Sequence, residues 1–92
     1  MIRSFRHKGL KRFFLTGSTA GINAKQSKKV ALILRRLHTA AAVGDMDVPG
    51  FGLHPLKGDL HGFWAVSASG AWRIIFRFDD KGAHDVDYMN YH

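Results

Sequence analysis

The run Trp72 to Phe78 alternates without a break: Trp72, Ile74, Phe76 and Phe78 fall on one face, and Arg73, Ile75 and Arg77 on the other. Successive side chains of a strand point to opposite sides of its sheet, so the pattern reads as β-structure with one apolar face. A second strand-like run, Phe63 to Ala68, precedes it, and Ser69-Gly70 joins the two. A two-residue connection containing glycine signals a tight hairpin, because glycine accepts the positive φ that such turns need. This hairpin constrains the fold more than any other stretch. Its apolar face must be covered, while its other face carries two cations, an arrangement suited to holding an anion on the exposed side of a sheet.

The rest of the chain supplies the cover. Ile2 to Arg6 alternates weakly, as an edge strand would. From His7 to Leu15 the period changes: Leu10, Phe13 and Phe14 lie on one side and Lys8, Lys11 and Arg12 on the other, which predicts a short amphipathic helix closed by Gly17. Asn23 is a suitable N-cap for a second helix running to about Ala41, with Val30, Ile33, Leu34, Leu37 and Ala41 at helical spacing. Its other face carries Lys25, Lys28, Lys29, Arg35 and Arg36, equally readable as a phosphate-binding surface or a solvated one. From Val43 to Asp59 the periodicity gives way to glycine, proline and aspartate, which reads as a long structureless connection. Such a connection is more often functional than idle. Asp79-Asp80-Lys81-Gly82 makes a further turn, and Ala83 to His92 reads as a last strand. In 92 residues this amounts to one α+β domain, with helices on one face of a small, twisted, antiparallel sheet.

Charge points toward the partner. The net charge is +7, all seven acids are aspartates at or beyond Asp45, and ten of the fourteen Lys and Arg lie in the first 36 residues. That field favours a polyanion, nucleic acid first, over an acidic protein or an anionic membrane; the plain alternative is charge for solubility. There are no cysteines, so disulfide frameworks and thiolate metal sites are excluded. No apolar run is long enough to span a bilayer, which predicts a cytoplasmic protein with no membrane attachment. The basic, acid-free start MIRSFRHKGLKRFF has the character of a transit peptide, although its apolar positions also suit a strand and a helix.

The six histidines match no zinc spacing, and neither a metal nor a cofactor is expected. The chain does offer a set for phosphodiester chemistry: His54 and His92 as proton carriers, Lys57, Arg73 and Arg77 as phosphate ligands, and Tyr91 beside His92. RNA cleavage by its own 2′-hydroxyl needs a base for the hydroxyl proton, an acid for the leaving 5′-oxygen, and cations for the charge that builds on phosphorus. Each residue also has a plainer reading. His54 can be a hydrogen-bonded surface group, Arg73 can pair with Asp85 or Asp87 of the next strand, and Phe63 and Trp64 can be packing residues rather than base-stacking ones.

Four stretches together, MIRSFRHKGLKRFF, HPLKGDLHGFWAV, Ala71 to Phe76 and Asp87 to His92, resemble the HigB toxins of the RelE/ParE superfamily. The resemblance implies a RelE-like fold, with two N-terminal helices packed on a small, mostly antiparallel sheet. It also implies a type II toxin that cuts messenger RNA in the ribosomal A site, contacts ribosomal RNA through its basic helices, and is neutralised by a HigA-type antitoxin. Functional positions carry over to His54, Lys57, Arg73, Tyr91 and His92. Asn90 departs from the aspartate common in the family's terminal string; asparagine orients a neighbour but accepts no proton as a carboxylate does. Asn90 thus leaves open a catalytically weak or inert toxin that only binds antitoxin or RNA. A gyrase-directed toxin of the ParE branch is the other alternative, disfavoured by the joint presence of His54, Arg73, Tyr91 and His92.

Overall fold

The computed structural model describes residues 1–90. Helices α1 (Lys8–Thr16) and α2 (Ser27–Thr39) precede four strands, β1 (His54–Pro55), β2 (Trp64–Ser69), β3 (Trp72–Asp79) and β4 (Gly82–Asn90). The strands pair antiparallel in chain order, giving an α+β architecture.

Local chemistry sets the helix ends. His7 caps α1, its Nδ1 accepting the Leu10 N–H at 2.9 Å, and Gly17 closes the helix in the left-handed region at φ 80° with its N–H on the Phe13 carbonyl. Asn23 does act as a cap, but of a 3-10 turn (Ala24–Gln26) that leads into α2. That helix stops at Thr39, where Ala40 turns extended.

Three expectations need correction. Contrary to what the resemblance implied, the helices are not both N-terminal: in line with the edge-strand reading of Ile2 to Arg6, Ile2 and Phe5 first bridge Ala83 and Val86, laying that segment parallel to β4. Gly82 makes this possible, since a Cβ there would stand 2.0 Å from the Met1 carbonyl oxygen. The hairpin connection is Gly70-Ala71 rather than Ser69-Gly70; a bulge between Ser67 and Ser69 moves the turn by one residue and puts Gly70 at φ 53°. The long connection is also structured. It holds a 3-10 turn at Val43–Met46, strand β1, and another 3-10 turn at Gly58–Leu60. The Asp45 carboxylate anchors its start by accepting the N–H groups of Ala41 and Ala42, and these bonds, Ala41 first, hold its pKa below the ordinary 3.8.

The sheet has a closed face and an open one. Val66, Ile74, Phe76, Val86 and Tyr88 form the main core with Leu10 of α1 and Val30, Ile33, Leu34 and Leu37 of α2. Tyr88 is the polar member: its ring stacks on Trp72 with centroids 4.6 Å apart, and its hydroxyl donates to Oε1 of buried Gln26. On the other face a smaller cluster of Phe63, Ala65 and Ile75 is flanked by Leu56, Leu60 and Met89. Among the described residues no helix is long and apolar enough to cross a membrane.

Candidate active site

Strand register decides which chemistry-bearing residues share a face. His54 stands opposite Ala65, Ala65 opposite Ile75, and Ile75 opposite Asp87. Two residues along, on the same face, Ser67 faces Arg73, and Arg73 faces Met89. Directly opposed residues of antiparallel strands project to the same side, so His54 and Arg73 both lie on the open face. They stand two residues apart lengthwise and two strand spacings, roughly 10 Å, across the sheet. Arg77 shares that face by alternation from Arg73.

His54 is exposed, and its Nδ1 lies 2.8 Å from the Gly52 carbonyl. A carbonyl can only accept, so Nδ1 carries the proton and the neutral ring keeps its lone pair on Nε2. That is the tautomer a general base requires. Arg73 is half-buried, and its Nη1 donates to the carbonyls of Gly70 at 2.6 Å and Trp72 at 3.0 Å and to the Ser67 hydroxyl at 3.4 Å. The hairpin turn thereby fixes the direction of the guanidinium. Lys57 is exposed at the entry to the Gly58–Leu60 turn, on the loop that leads from β1 to Phe63. Arg77 is exposed, its guanidinium 5.7 Å from the centre of the Phe63 ring.

The remaining expected residues are not gathered with these. Lys25, Lys28 and Lys29 belong to the helical layer that covers the opposite face, and the Lys29 Nζ donates to the Gly50 carbonyl at 3.0 Å. Asn90 is exposed at the end of β4, paired with Trp72 and not on the Arg73 rung. Tyr91 and His92 lie outside the described residues. Trp64 packs against the main core, in keeping with its structural reading. Among the described residues the one ion pair joins His84 to Asp79, whose carboxyl is held below its ordinary pKa chiefly by that hydrogen bond. No cluster of metal-ligating side chains occurs among the described residues. Sequence reading missed Ser67 as a partner of Arg73, although a tight hairpin with any two-residue turn brings these positions near each other. It also missed Arg6, whose guanidinium lies over Phe63.

The chain superposes on the YoeB/ParE toxin from Agrobacterium tumefaciens with a TM-score of 0.58, covering 99% of this chain and 96% of that one at 21% identity. The chain thus shares the fold of that protein. The family described as "RelE-like toxin of type II toxin-antitoxin system HigB" matches residues 3–92, and the chain belongs to this HigB-like toxin family. It is 39% identical to Endoribonuclease HigB of Proteus vulgaris over 92 residues, the whole of both chains.

Proposed function

We propose that this protein is the endoribonuclease toxin of a type II toxin-antitoxin pair and stops translation by cutting messenger RNA on the ribosome. The activity named for the Proteus vulgaris relative supplies the reaction class. The observation that carries the reading here is the open face, where a histidine with its Nε2 lone pair free and an arginine aimed by its own hairpin stand two residues apart lengthwise.

In the reaction the 2′-hydroxyl oxygen attacks the adjacent phosphorus and the bond from phosphorus to the 5′-oxygen breaks. One product ends in a 2′,3′-cyclic phosphate and the other begins with a 5′-hydroxyl. A base takes the 2′-hydroxyl proton and an acid gives one to the leaving oxygen; His54 and His92 share these roles, with Tyr91 beside them. Arg73 stabilises the charge that builds on the phosphoryl oxygens, and Lys57 and Arg77 hold neighbouring phosphates. Asn90 tunes the terminal segment without accepting a proton. Lys25, Lys28 and Lys29 lie on the far side of the molecule, where they suit ribosomal RNA rather than the strand being cut. A HigA-type antitoxin is the neutralising partner, and the site of action is the ribosomal A site in the cytoplasm.

The test is to induce the protein in a bacterial host and map the 5′ ends of a translated message, with Arg73→Ala alongside. In-frame cuts that vanish in the variant are expected. Arrest without cuts would sink the ribonuclease reading, and a DNA-damage response in its place would indicate a gyrase-type target.

A further inference from the structure

Arg6 and Arg77 reach the same aromatic ring from different parts of the chain. Arg6 ends the N-terminal segment that runs beside β4, while Arg77 lies in β3. Each guanidinium carbon is 5.7 Å from the centre of the Phe63 ring, so at most twice that distance, about 11 Å, separates the two charges. Both side chains are exposed, and neither has a hydrogen-bond or carboxylate partner among the described residues. Of the nearby acids, Asp79 accepts from His84 and from the Lys81 N–H, and Asp87 accepts from the Tyr88 N–H; Asp79 and Asp85 line a pocket with Arg77, but neither forms an ion pair with it among the described residues. A guanidinium resting on an aromatic ring is held in place while its N–H edge stays open for an oxyanion. Two such groups on one ring, neither in an ion pair among the described residues, bring two cations together in a chain that already carries a net charge of +7.

We propose that Arg6 and Arg77, seated together on Phe63, form a second phosphate-binding station that grips the backbone of the message at a nucleotide beyond the one being cut. The station lies on the face that carries His54 and Arg73. Arg77 is four residues along β3 from Arg73, about 13 Å at the rise of a strand, which is more than one nucleotide away. An RNA strand crossing the open face would meet Arg73 and then this pair. The inference rests on the ribonuclease reading and adds a track for the substrate.

The test uses the purified protein, ribosomes programmed with a message blocked by 2′-O-methyl groups so that binding is read without cleavage, and vacant ribosomes, each over a range of salt. Arg6→Gln and Arg77→Gln should each weaken binding to programmed ribosomes on the order of fivefold, with the slope of log affinity on log salt flattened by about 0.7, the value for one phosphate contact to a single strand. Lys81→Gln, an equal loss of charge in the β3–β4 turn, should do neither. Phe63→Leu keeps an apolar side chain but removes the ring, and should reproduce the arginine losses while lowering the melting temperature by only a few degrees, so that the protein stays folded under the assay. Arginine variants that behave as Lys81→Gln would overturn the proposal. Equal losses on vacant ribosomes would also overturn it and assign the pair to ribosomal RNA. The ribonuclease reading fails separately, if the unaltered protein leaves an unblocked message intact.

Discussion

Ile74 and Ile75 are neighbours in β3 and both are wholly buried, yet they are covered in different ways. Ile74 lies beneath the two helices, in a core that includes Leu10, Ile33, Leu37 and Phe51. Ile75 lies beneath a loop: Leu56, Leu60 and Phe63 fold over it, and the loop is closed by the Leu56 N–H on the Phe63 carbonyl at 2.9 Å. A helix carries its own hydrogen bonds and can blanket a whole sheet face; a loop of this size protects one patch. The difference leaves the flanks of the second face open, and there His54, Arg73 and Arg77 stand. Stability is concentrated on one side of the sheet, and the residues proposed to meet the message stand on the other.

If that division holds, substitutions on the two faces should separate stability from activity. The largest effect is expected for Phe76→Ala, which empties fully buried volume under the helices and should cost about 3–5 kcal/mol in urea unfolding. Arg73→Ala should come next, on the other axis. Removing a positioned donor to a charged transition state should lower message cleavage about 100- to 1000-fold. Its unfolding midpoint should move far less, since the change empties no fully buried apolar volume and the bonds lost include that to the exposed Gly70 carbonyl. Were Arg73→Ala to destabilise the protein as much as Phe76→Ala, the two faces would not be separable.

Much of this division was legible because period-two alternation is a local signal. The seven residues of Trp72 to Phe78 sorted correctly into a core face and a cation-bearing face, and α1 and α2 followed from apolar spacing. What escaped had non-local causes. Nothing near Gly82 in the sequence shows that Met1 will lie against it, or that the N-terminal segment will pair in parallel. The chain from Val43 to Asp59 lacks periodicity because its order comes from side-chain caps such as Asp45 and from single buried residues such as Met46 and Phe51. His54 and Arg73 came together through register across two strand pairs, which one turn cannot fix. The cationic face of α2 was readable as a face, but not as lying across the sheet from Arg73.

Tyr88→Phe probes the closed face more gently. The hydroxyl is buried and donates to Gln26, so its removal leaves the Gln26 carbonyl unsatisfied and should cost about 1–2 kcal/mol at neutral pH. Burial also pushes the phenol above its ordinary value of 10.0. A group whose folded value is raised favours the neutral form in the folded state. Its contribution is complete below the unfolded value and is lost as pH rises through the folded one. Stability of the unaltered protein should therefore fall on the alkaline side, from about pH 10 upward, and Tyr88→Phe should lack that part of the fall. Parallel slopes for the two proteins above pH 10 would mean that Tyr88 does not titrate in this range.

The smallest effect is expected for Lys28→Gln. Lys28 is exposed on α2, the layer that covers the closed face, and no hydrogen bond or ion pair holds it among the described residues. Its loss should change unfolding free energy by no more than about 0.5 kcal/mol, the usual range for a surface substitution free of special contacts. It removes the same unit charge as Arg77→Gln but from the opposite side of the sheet. If the open face alone meets the message, Lys28→Gln should leave the pattern of cuts unchanged and reduce association with vacant and programmed ribosomes equally, less than about threefold, as the loss of one solvent-screened cation would. A loss on programmed ribosomes alone would place message on the helical side, and the contrast between the two faces would then describe stability without describing function.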